Sequence, residues 1–188
     1  MSAPRLAATV ILARPAAEGF ELYMTRRSSR SRFAPDAYVF PGGTLEPQDG
    51  ALPDALRNAA VRELFEEAGV RLDPAALLPF SHWITPQSEP RRYDTHFFFA
   101  RAPDDQIARA DAVETHDGIW IAPAEALRRH RRWSLHLVYP TIKHLERLVP
   151  FVSVDDVVEF ARTKSIRTIC PADAGNSFEI PAGLEDAW

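Results

Sequence analysis

Cysteine and long apolar runs are scarce in this chain of 188 residues. A single cysteine, Cys170, cannot form an internal disulfide framework or a cysteine-based zinc site, and it suits a reducing compartment. The longest apolar run near the start, residues 6–13, is far shorter than the roughly 20 residues that a membrane-spanning helix needs. That run also lacks the cleavage site of a signal peptide. We therefore expect a cytoplasmic protein that does not enter a membrane.

The chain also has little excess charge of either sign. Its formal net charge is -4 and charged residues make up 26% of the sequence, as in an ordinary soluble protein. Because no basic excess is present, nothing in the overall charge indicates a nucleic-acid partner. We expect a small-molecule partner instead, and a homodimer is compatible with the sequence.

Strand-like and helical segments predict one α/β domain over residues 1–188, with a mixed β-sheet flanked by helices. Residues 6–12 and 20–25 favour a β-hairpin around a turn. A C-terminal helical extension is expected from about residue 134, and Ser153 is the predicted N-cap of its last helix. Short strands at residues 166–169 and 178–180 are expected to pair with each other.

An acidic helix is the strongest single feature of the sequence. Strong helix formers fill residues 54–68, and Gly69 suits a left-handed end. Glu63, Glu66 and Glu67 share one face, where like charges repel one another. Either this face is simply solvated, or a hard divalent cation lies on the carboxylates. The predicted apolar face consists of Ala60, Val61, Leu64, Phe65 and Ala68.

Two glycines upstream, Gly42 and Gly43, place this helix in a recognisable pattern. The chain resembles the Nudix hydrolases, whose box reads G-x5-E-x7-R-E-U-x-E-E-x-G-U, where U is a bulky aliphatic residue. In the first half of the box, Asp54 stands eight residues before Arg62 at the glutamate position, and about five residues are inserted within residues 47–53. The second half is matched by Arg62, Glu63, Leu64, Glu66, Glu67, Gly69 and Val70.

The resemblance implies a Nudix fold, in which a mixed β-sheet is sandwiched between α-helices, and a Mg²⁺ or Mn²⁺ cofactor. Donor sets made only of oxygen favour these ions over zinc. Arg62 lies beside Glu66 on the predicted helix surface, where we expect it to orient the carboxylates, and the adjacent glycines Gly42 and Gly43 permit a close approach of the backbone. The implied metal ligands are the Gly42 carbonyl and the side chains of Glu63, Glu66 and Glu67.

The general base is left open between two carboxylates. One candidate is Glu63 of the box. The other is a later loop acid, which the resemblance places shortly before a strand that ends in tryptophan. Glu114, six residues before Trp120, fits that description as a base and as a further metal ligand, and Asp117 is the second choice.

An arginine-rich stretch at residues 26–32 is either a solvated loop or a cradle for anions, since arginine matches phosphate oxygens bidentately. It is similar to the signature of Nudix hydrolases that act on coenzyme A, L-L-T-x-R-S-x3-R-x3-G-x3-F-P-G-G. Tyr23 and Met24 replace the two leucines. Asp36 replaces the glycine, and it could oppose an anion or need another backbone conformation. The residues in register are Thr25, Arg27, Ser28, Arg32 and residues 40–43.

A second part of the chain, residues 83–98, resembles the peroxisomal coenzyme A diphosphatase branch of the family. Within it, Arg91 and Arg92 either reach substrate phosphates or end an exposed hairpin. The histidines at positions 82 and 96 are interpreted as structural residues rather than ligands.

Together these motifs predict a Mg²⁺-dependent diphosphatase that cleaves a nucleoside diphosphate linked to another moiety. Coenzyme A or its thioesters are the leading substrates. A hydrolase of ADP-ribose, dinucleotides or oxidised nucleotides is the second hypothesis. A non-catalytic Nudix-like sensor is the third, and it is disfavoured because all three box glutamates are present. The expected substrate-binding residues are Arg27, Ser28, Arg32, Gly43, Arg91 and Arg92.

Overall fold

The computed structural model of the protein describes residues 3–31, 34–110, 115–175 and 177–185, except for the side chains of residues 115 and 116. Fourteen helices and strands lie in these ranges, together with short 3₁₀ turns at Pro47–Asp49 and Pro74–Ala76. The strands and helices are β1 (Arg5–Pro15), β2 (Phe20–Arg27), β3 (Tyr38–Val39), β4 (Gly42–Thr44), α1 (Asp54–Ala68), β5 (Leu78–Ile84), β6 (Tyr93–Arg101), β7 (Thr115–Ile121), α2 (Pro123–Arg131), α3 (Tyr139–Leu148), α4 (Val154–Thr163), β8 (Thr168–Ile169), β9 (Ala172–Asp173) and β10 (Phe178–Glu179).

The main sheet is mixed, as predicted. Its strands lie in the order β3-β2-β1-β6-β5-β8; β1 runs parallel to β6 and antiparallel to β2. The far end of β1 pairs with β2 through residues 13–15, whereas residues 7–9 pair with β4. The two partners of β1 therefore separate along its length, and β4 brings its glycines to the centre of the sheet.

The side chains of β1 alternate between the two faces of the sheet, and this alternation divides the core into two layers. Ala8, Val10 and Leu12 face α1, whose Leu64 is fully buried in the same layer. Burial of one such leucine side chain contributes about 2 kcal/mol. Helix α1 is thus held against β1 and β4, which places its polar side chains next to the glycines of β4. The opposite layer contains Ile11, Ala13, Phe97, Phe99, Leu145, Leu148, Val157 and Ala161.

Helix α1 begins at Asp54 and ends at Ala68, as the sequence predicted. Gly69 adopts a φ of 68°, and its N–H donates to the Phe65 carbonyl at 2.8 Å. The predicted apolar face is wrong at Phe65, which is 40% exposed. The guanidinium of Arg71 covers this ring at 3.7 Å from its centroid, so a cation rather than the core shields the aromatic face.

The C-terminal part contains α3 and α4, and it corrects the expected strand pairing. Ser153 caps α4, since its Oγ accepts from the Asp156 N–H at 3.1 Å. Strand β8 pairs in parallel with β5, whereas β10 pairs with β9, so the two predicted strands do not pair with each other. Within the described ranges, no helix combines the length and the apolar character needed to cross a membrane.

Candidate active site

A cleft of about 410 Å³ opens where β4 meets β1 and the polar side of α1. Strand β6 and the start of α3 complete its walls. The structure thereby brings together predicted site residues that are up to 40 positions apart in the chain, from Arg27 to Glu67. The predicted site residues that line the cleft are Arg27, Gly42, Gly43, Arg62, Glu63, Glu66 and Glu67.

Arg62 is the centre of the hydrogen-bond network in this cleft. Its Nε and Nη2 donate to the two carboxylate oxygens of Asp49 at 2.9 and 3.0 Å, a bidentate pair. Nη2 also donates to the Thr44 carbonyl at 3.1 Å. Nη1 donates to Glu63 at 2.8 Å and to Glu66 at 3.0 Å. One guanidinium therefore holds two box glutamates side by side.

Asp49 holds the guanidinium of Arg62 in place. Its side chain is only 2% exposed. Burial acts to raise the pKa of Asp49, but the hydrogen bonds from Arg62 and from the Glu46 N–H, together with the charge of Arg62, outweigh burial and lower this pKa. The hydrogen bond with Asp49 is in turn the main reason why the pKa of Arg62 is raised. Both groups are therefore ionised near neutral pH.

Gly42 and Gly43 lie where no side chain would fit. A Cβ on Gly43 would lie 2.2 Å from Oε1 of Glu63, and a Cβ on Gly42 would lie 2.5 Å from the Ala8 carbonyl oxygen. The Gly42 N–H donates to Oε2 of Glu67 at 3.0 Å. The two glycines therefore let the backbone of β4 pack directly on the carboxylates of α1.

The three box glutamates differ in exposure and in what holds them. Glu67 is 7% exposed and bound to the backbone of β4, the Glu63 side chain is 12% exposed, and that of Glu66 is 53% exposed. Their oxygens do not all lie within 4.8 Å of one another. The donor set nevertheless fits a hard divalent cation, because three carboxylates face one cleft and offer oxygen atoms to it.

Comparison with known families agrees with this geometry. The family model of the NUDIX domain matches residues 3–140. The chain belongs to the NUDIX domain family.

Individual Nudix proteins are similar to most of this chain at low sequence identity. A Caenorhabditis elegans protein named as a nudix hydrolase is 27% identical over 202 residues, covering 89% of this chain and 67% of the relative. The acyl-coenzyme A diphosphatase NUDT19 of Gallus gallus is 26% identical over 251 residues, covering 78% of this chain and 66% of the relative. The chain thus matches about two thirds of the length of these curated relatives.

A solved structure of the family supports the fold. The crystal structure of a NUDIX hydrolase from Alicyclobacillus acidocaldarius has a TM-score of 0.76 at 24% identity, covering 85% of this chain and 97% of that chain. This similarity extends over almost the whole of the solved chain, so the arrangement of sheet and helices is that of a Nudix protein.

The structure corrects how the first half of the Nudix box is placed on the sequence. Asp54 is exposed in the first turn of α1, about 12 Å from Arg62 along the helix axis. Asp49, which follows Gly43 by six positions as the box requires, is the carboxylate that binds Arg62. Asp49 therefore occupies the acidic position of the box, and the inserted residues come after it, before α1. Counting forward from Gly43 instead of backward from Arg62 is the signal that finds Asp49.

Only part of the predicted anion cradle lines the cleft. Arg27 does so, and its Nη2 donates to Ser31 Oγ at 2.8 Å. Ser28 instead closes the following turn, where its carbonyl accepts from the Ser31 N–H at 2.9 Å and its Oγ accepts from the Arg30 N–H at 3.2 Å. Arg32 lies outside the described residues. Arg5, which no sequence signal indicated, contributes a further guanidinium to the cleft beside those of Arg27 and Arg62.

Asp36 shows why its position in the coenzyme A signature is conformationally special. Its φ is 59°, in the left-handed region that favours glycine. Its carboxylate accepts from Arg26 Nη2 at 2.7 Å. The aspartate is therefore paired with an arginine outside the cleft.

Arg91 and Arg92 belong to the hairpin between β5 and β6, and neither lines the cleft as the structure describes it. The Nε of Arg92 donates to the Thr85 carbonyl at 3.0 Å, which closes the hairpin. Of the two interpretations of this basic pair, the geometry favours the end of a hairpin.

The two later acids have different outcomes. Glu114 lies outside the described residues. Asp117 accepts a hydrogen bond from the Tyr38 hydroxyl at 2.9 Å. Burial, followed by this bond, raises the pKa of Tyr38. Asp117 therefore joins β7 to β3, and it is not among the cleft residues of the described part of the chain.

Proposed function

We propose that this Nudix protein is a Mg²⁺- or Mn²⁺-dependent diphosphatase that cleaves a nucleoside diphosphate linked to another moiety, with coenzyme A or acyl-coenzyme A as the leading substrate. The observation that carries the proposal is the meeting of Glu63, Glu66 and Glu67 with the glycines of β4 in one cleft. Water adds across the P–O–P linkage, so coenzyme A would give a 3′-phosphorylated AMP and a phosphopantetheine.

The glutamates of α1 would hold the divalent cation, together with the carbonyl of Gly42. When bound, such an ion neutralises phosphoryl oxygens and lowers the pKa of a coordinated water. Arg62 keeps Glu63 and Glu66 in place through its Nη1, and Asp49 keeps Arg62 in place. The base that takes the proton from the attacking water is Glu63 or Glu114.

The other side of the cleft supplies positive charge for the diphosphate. Arg27 projects from the end of β2 and Arg5 from the start of β1, and both line the cleft that contains the glutamates. A planar guanidinium can bind two phosphate oxygens at once. Arg32 remains a further candidate for the same role, and the preference for coenzyme A rests on the upstream signature and on the similarity to an acyl-coenzyme A diphosphatase.

One assay tests both the chemistry and the substrate class. The protein is incubated with Mg²⁺ and, separately, with coenzyme A, an acyl-coenzyme A, ADP-ribose, NADH, a diadenosine polyphosphate and 8-oxo-dGTP, and the products are separated by chromatography. Preferential cleavage of the coenzyme A compounds supports the proposal. Preferential cleavage of another compound retains the diphosphatase and replaces the substrate. Tight binding without turnover of any compound overturns the catalytic proposal in favour of a sensor.

A matched variant connects the turnover to the cleft. Replacing Arg27 removes a guanidinium that lines the cleft, whereas replacing Arg26 removes one that is paired with Asp36 outside it. Substrate preference that changes with Arg27→Ala and not with Arg26→Ala would assign recognition to this wall.

A further inference from the structure

A second group of ligand-type side chains lies on the opposite face of the sheet from the cleft. His82 comes from β5, and Asp94 and His96 come from β6. His82 and His96 are directly paired across the two strands. Asp94 precedes His96 by two residues, so both side chains leave the strand on the same face. Three side chains that commonly bind metals are therefore neighbours by strand register alone.

Their polar atoms lie close together. The Nε2 atoms of His82 and His96 lie 2.5 and 3.8 Å from Oδ1 of Asp94, and one ligand atom from each residue falls within 4.8 Å of the others. The two imidazole rings stack with centroids 4.0 Å apart and planes 17° apart. Ligand atoms at 2.0–2.2 Å from a tetrahedral zinc ion are about 3.4 Å from one another. The three atoms are therefore spaced much like the ligands of one zinc ion, and the two stacked rings would have to tilt toward each other for both nitrogens to point at it.

The group is accessible and partly oriented in advance. The side chains of His82, Asp94 and His96 are 20%, 24% and 31% exposed, so an ion can reach them from solvent. Thr168 of β8 places its Oγ1 2.8 Å from Nδ1 of His82. A partner on one imidazole nitrogen fixes the ring and leaves the other nitrogen facing the metal, as is usual for histidine ligands.

We propose that His82, Asp94 and His96 form a binding site for a divalent transition-metal ion, Zn²⁺ above all. Two imidazoles and one carboxylate suit zinc and its neighbours in the first transition row, whereas Mg²⁺ prefers oxygen donors. Three protein ligands leave a fourth position for water. The site is chemically distinct from the oxygen-only donors of the box, and it does not depend on the function proposed above.

Such an ion would tie together the hairpin that forms one wall of the cleft. On β6, Tyr93 and Thr95 face the cleft, while Asp94 and His96 alternate with them on the other face. The ion would connect β6 to β5 directly, and to β8 through Thr168. We therefore assign it a structural role, in which it stabilises the folded chain by mass action.

The test is a calorimetric titration of Zn²⁺ into the full chain, purified without a histidine tag and stripped with a chelator. Saturating Mg²⁺ is present throughout, so that the box carboxylates are occupied by the ion they prefer. We expect one Zn²⁺ per chain, and a melting temperature that rises with Zn²⁺. The His82→Gln, His96→Gln and Asp94→Asn variants should each bind Zn²⁺ at least about tenfold more weakly, because each loses one of three ligands.

Two controls separate this site from other zinc-binding surfaces. His136→Gln makes the same substitution at an exposed histidine elsewhere, and Glu66→Gln removes a carboxylate of the box. Both should bind Zn²⁺ as the wild type does, and circular dichroism shows whether each variant is folded. The proposal is overturned if the wild type takes up no Zn²⁺ in saturating Mg²⁺, or if folded His82→Gln and His96→Gln retain wild-type affinity. Neither result affects the diphosphatase assay, which is run with Mg²⁺ alone.

Discussion

The two walls of the cleft are built on different physical principles. On the α1 wall, Arg62 and Asp49 form a bidentate pair whose side chains are 16% and 2% exposed. Next to Arg27 of the β2 wall, but outside the cleft, the side chains of the Arg26–Asp36 pair are 44% and 45% exposed. Buried charged groups are costly to separate, whereas an exposed pair contributes about 0–1 kcal/mol.

Under the proposed function, this difference would separate chemistry from recognition. The α1 wall holds the glutamates at fixed positions and is expected to tolerate little change. The β2 wall presents Arg27 from the end of a strand, where substitutions can alter the ligand without unfolding the chain. Substitutions on each wall test that division, and the largest effect is expected on the α1 wall.

Loss of a single box carboxylate should almost abolish turnover. We expect Glu66→Gln or Glu67→Gln to lower kcat by more than about 10³-fold. Removal of a single preorganised hydrogen-bond donor already lowers kcat by about 10²–10³-fold, and a lost metal ligand should cost more. Glu67→Gln keeps an oxygen that can accept from the Gly42 N–H, so the fold should survive. Turnover is measured with saturating Mg²⁺, and the exposed Glu18→Gln serves as the control. Near-normal turnover in both variants would remove α1 from the chemistry.

Asp49, which binds Arg62, should matter for stability as well as for activity. We expect Asp49→Asn to lower the free energy of unfolding by about 2–3 kcal/mol, because it leaves a largely buried guanidinium with fewer charged partners. Asp54→Asn should cost less than about 1 kcal/mol, since Asp54 only favours the helix dipole. Urea unfolding of both variants measures the difference. Equal losses would contradict the placement of Asp49 in the box.

The same aspartate predicts a direction for the pH dependence of stability. The pKa of Asp49 in the folded state lies below its ordinary value of 3.8, so its contribution is complete above the unfolded pKa and is lost as the pH falls through the folded pKa. The stability gap between wild type and Asp49→Asn should therefore be constant above about pH 5 and narrow in acid. Urea unfolding at a series of pH values measures this gap. A gap that widens in acid would be inconsistent with a lowered pKa.

On the other wall, Arg27→Ala should act on substrate binding. We expect KM to rise about tenfold, equivalent to about 1.4 kcal/mol, with kcat changed much less. Arg26→Ala is the neighbouring control, because its guanidinium pairs with Asp36. Steady-state kinetics with the preferred substrate measures both. A fall in kcat as large as that of the box variants would mean that the two walls are not functionally separate.

The smallest effect is expected at Asp36. Asp36→Gly relieves a left-handed aspartate and removes an exposed ion pair, so stability should change by less than about 1 kcal/mol. Asp36→Ala keeps a Cβ at the same φ and should be about 1 kcal/mol less stable than Asp36→Gly. Thermal unfolding compares the two. If Asp36→Ala were the more stable variant, backbone strain would not explain this position.

The features that could be predicted from the sequence were those that follow from regular spacing of residue types. The limits of α1 follow from helix formers and from Gly69, and the grouping of Glu63, Glu66 and Glu67 follows from the helical period. The mixed sheet followed from alternating segments and from the family resemblance. These features depend on local chemistry, which the sequence contains in full.

The errors arose where local chemistry leaves a choice that packing decides. Phe65 lies near the end of α1, where the helical period alone does not show how far the sheet extends. Strands as short as β8 and β10 have too few residues to specify a partner. The role of Asp49 was missed because the inserted residues change its spacing from Arg62 in the sequence. In the structure the two side chains are hydrogen-bonded to each other.

The clustering of His82 with Asp94 could not be derived from either residue alone, because it requires the register between two strands. A basic pair such as Arg91 and Arg92 likewise fits a ligand site and a hairpin end equally well until its neighbours are known. In both cases the missing information was which strand lies opposite.

The register between β6 and β1 decides which side chains of β6 face the cleft and which face α1. Its nine pairs with β1 run from Arg5 opposite Tyr93 to Ala13 opposite Arg101. Because side chains alternate with a period of two, a slip by a single residue would turn the polar cleft wall toward α1 and bring two histidines and an acid into the cleft instead. The same slip would expose Phe97 and Phe99 to the wrong layer of the core. Correct alignment of the central strands is thus a condition for folding and for separating the two ligand-binding faces.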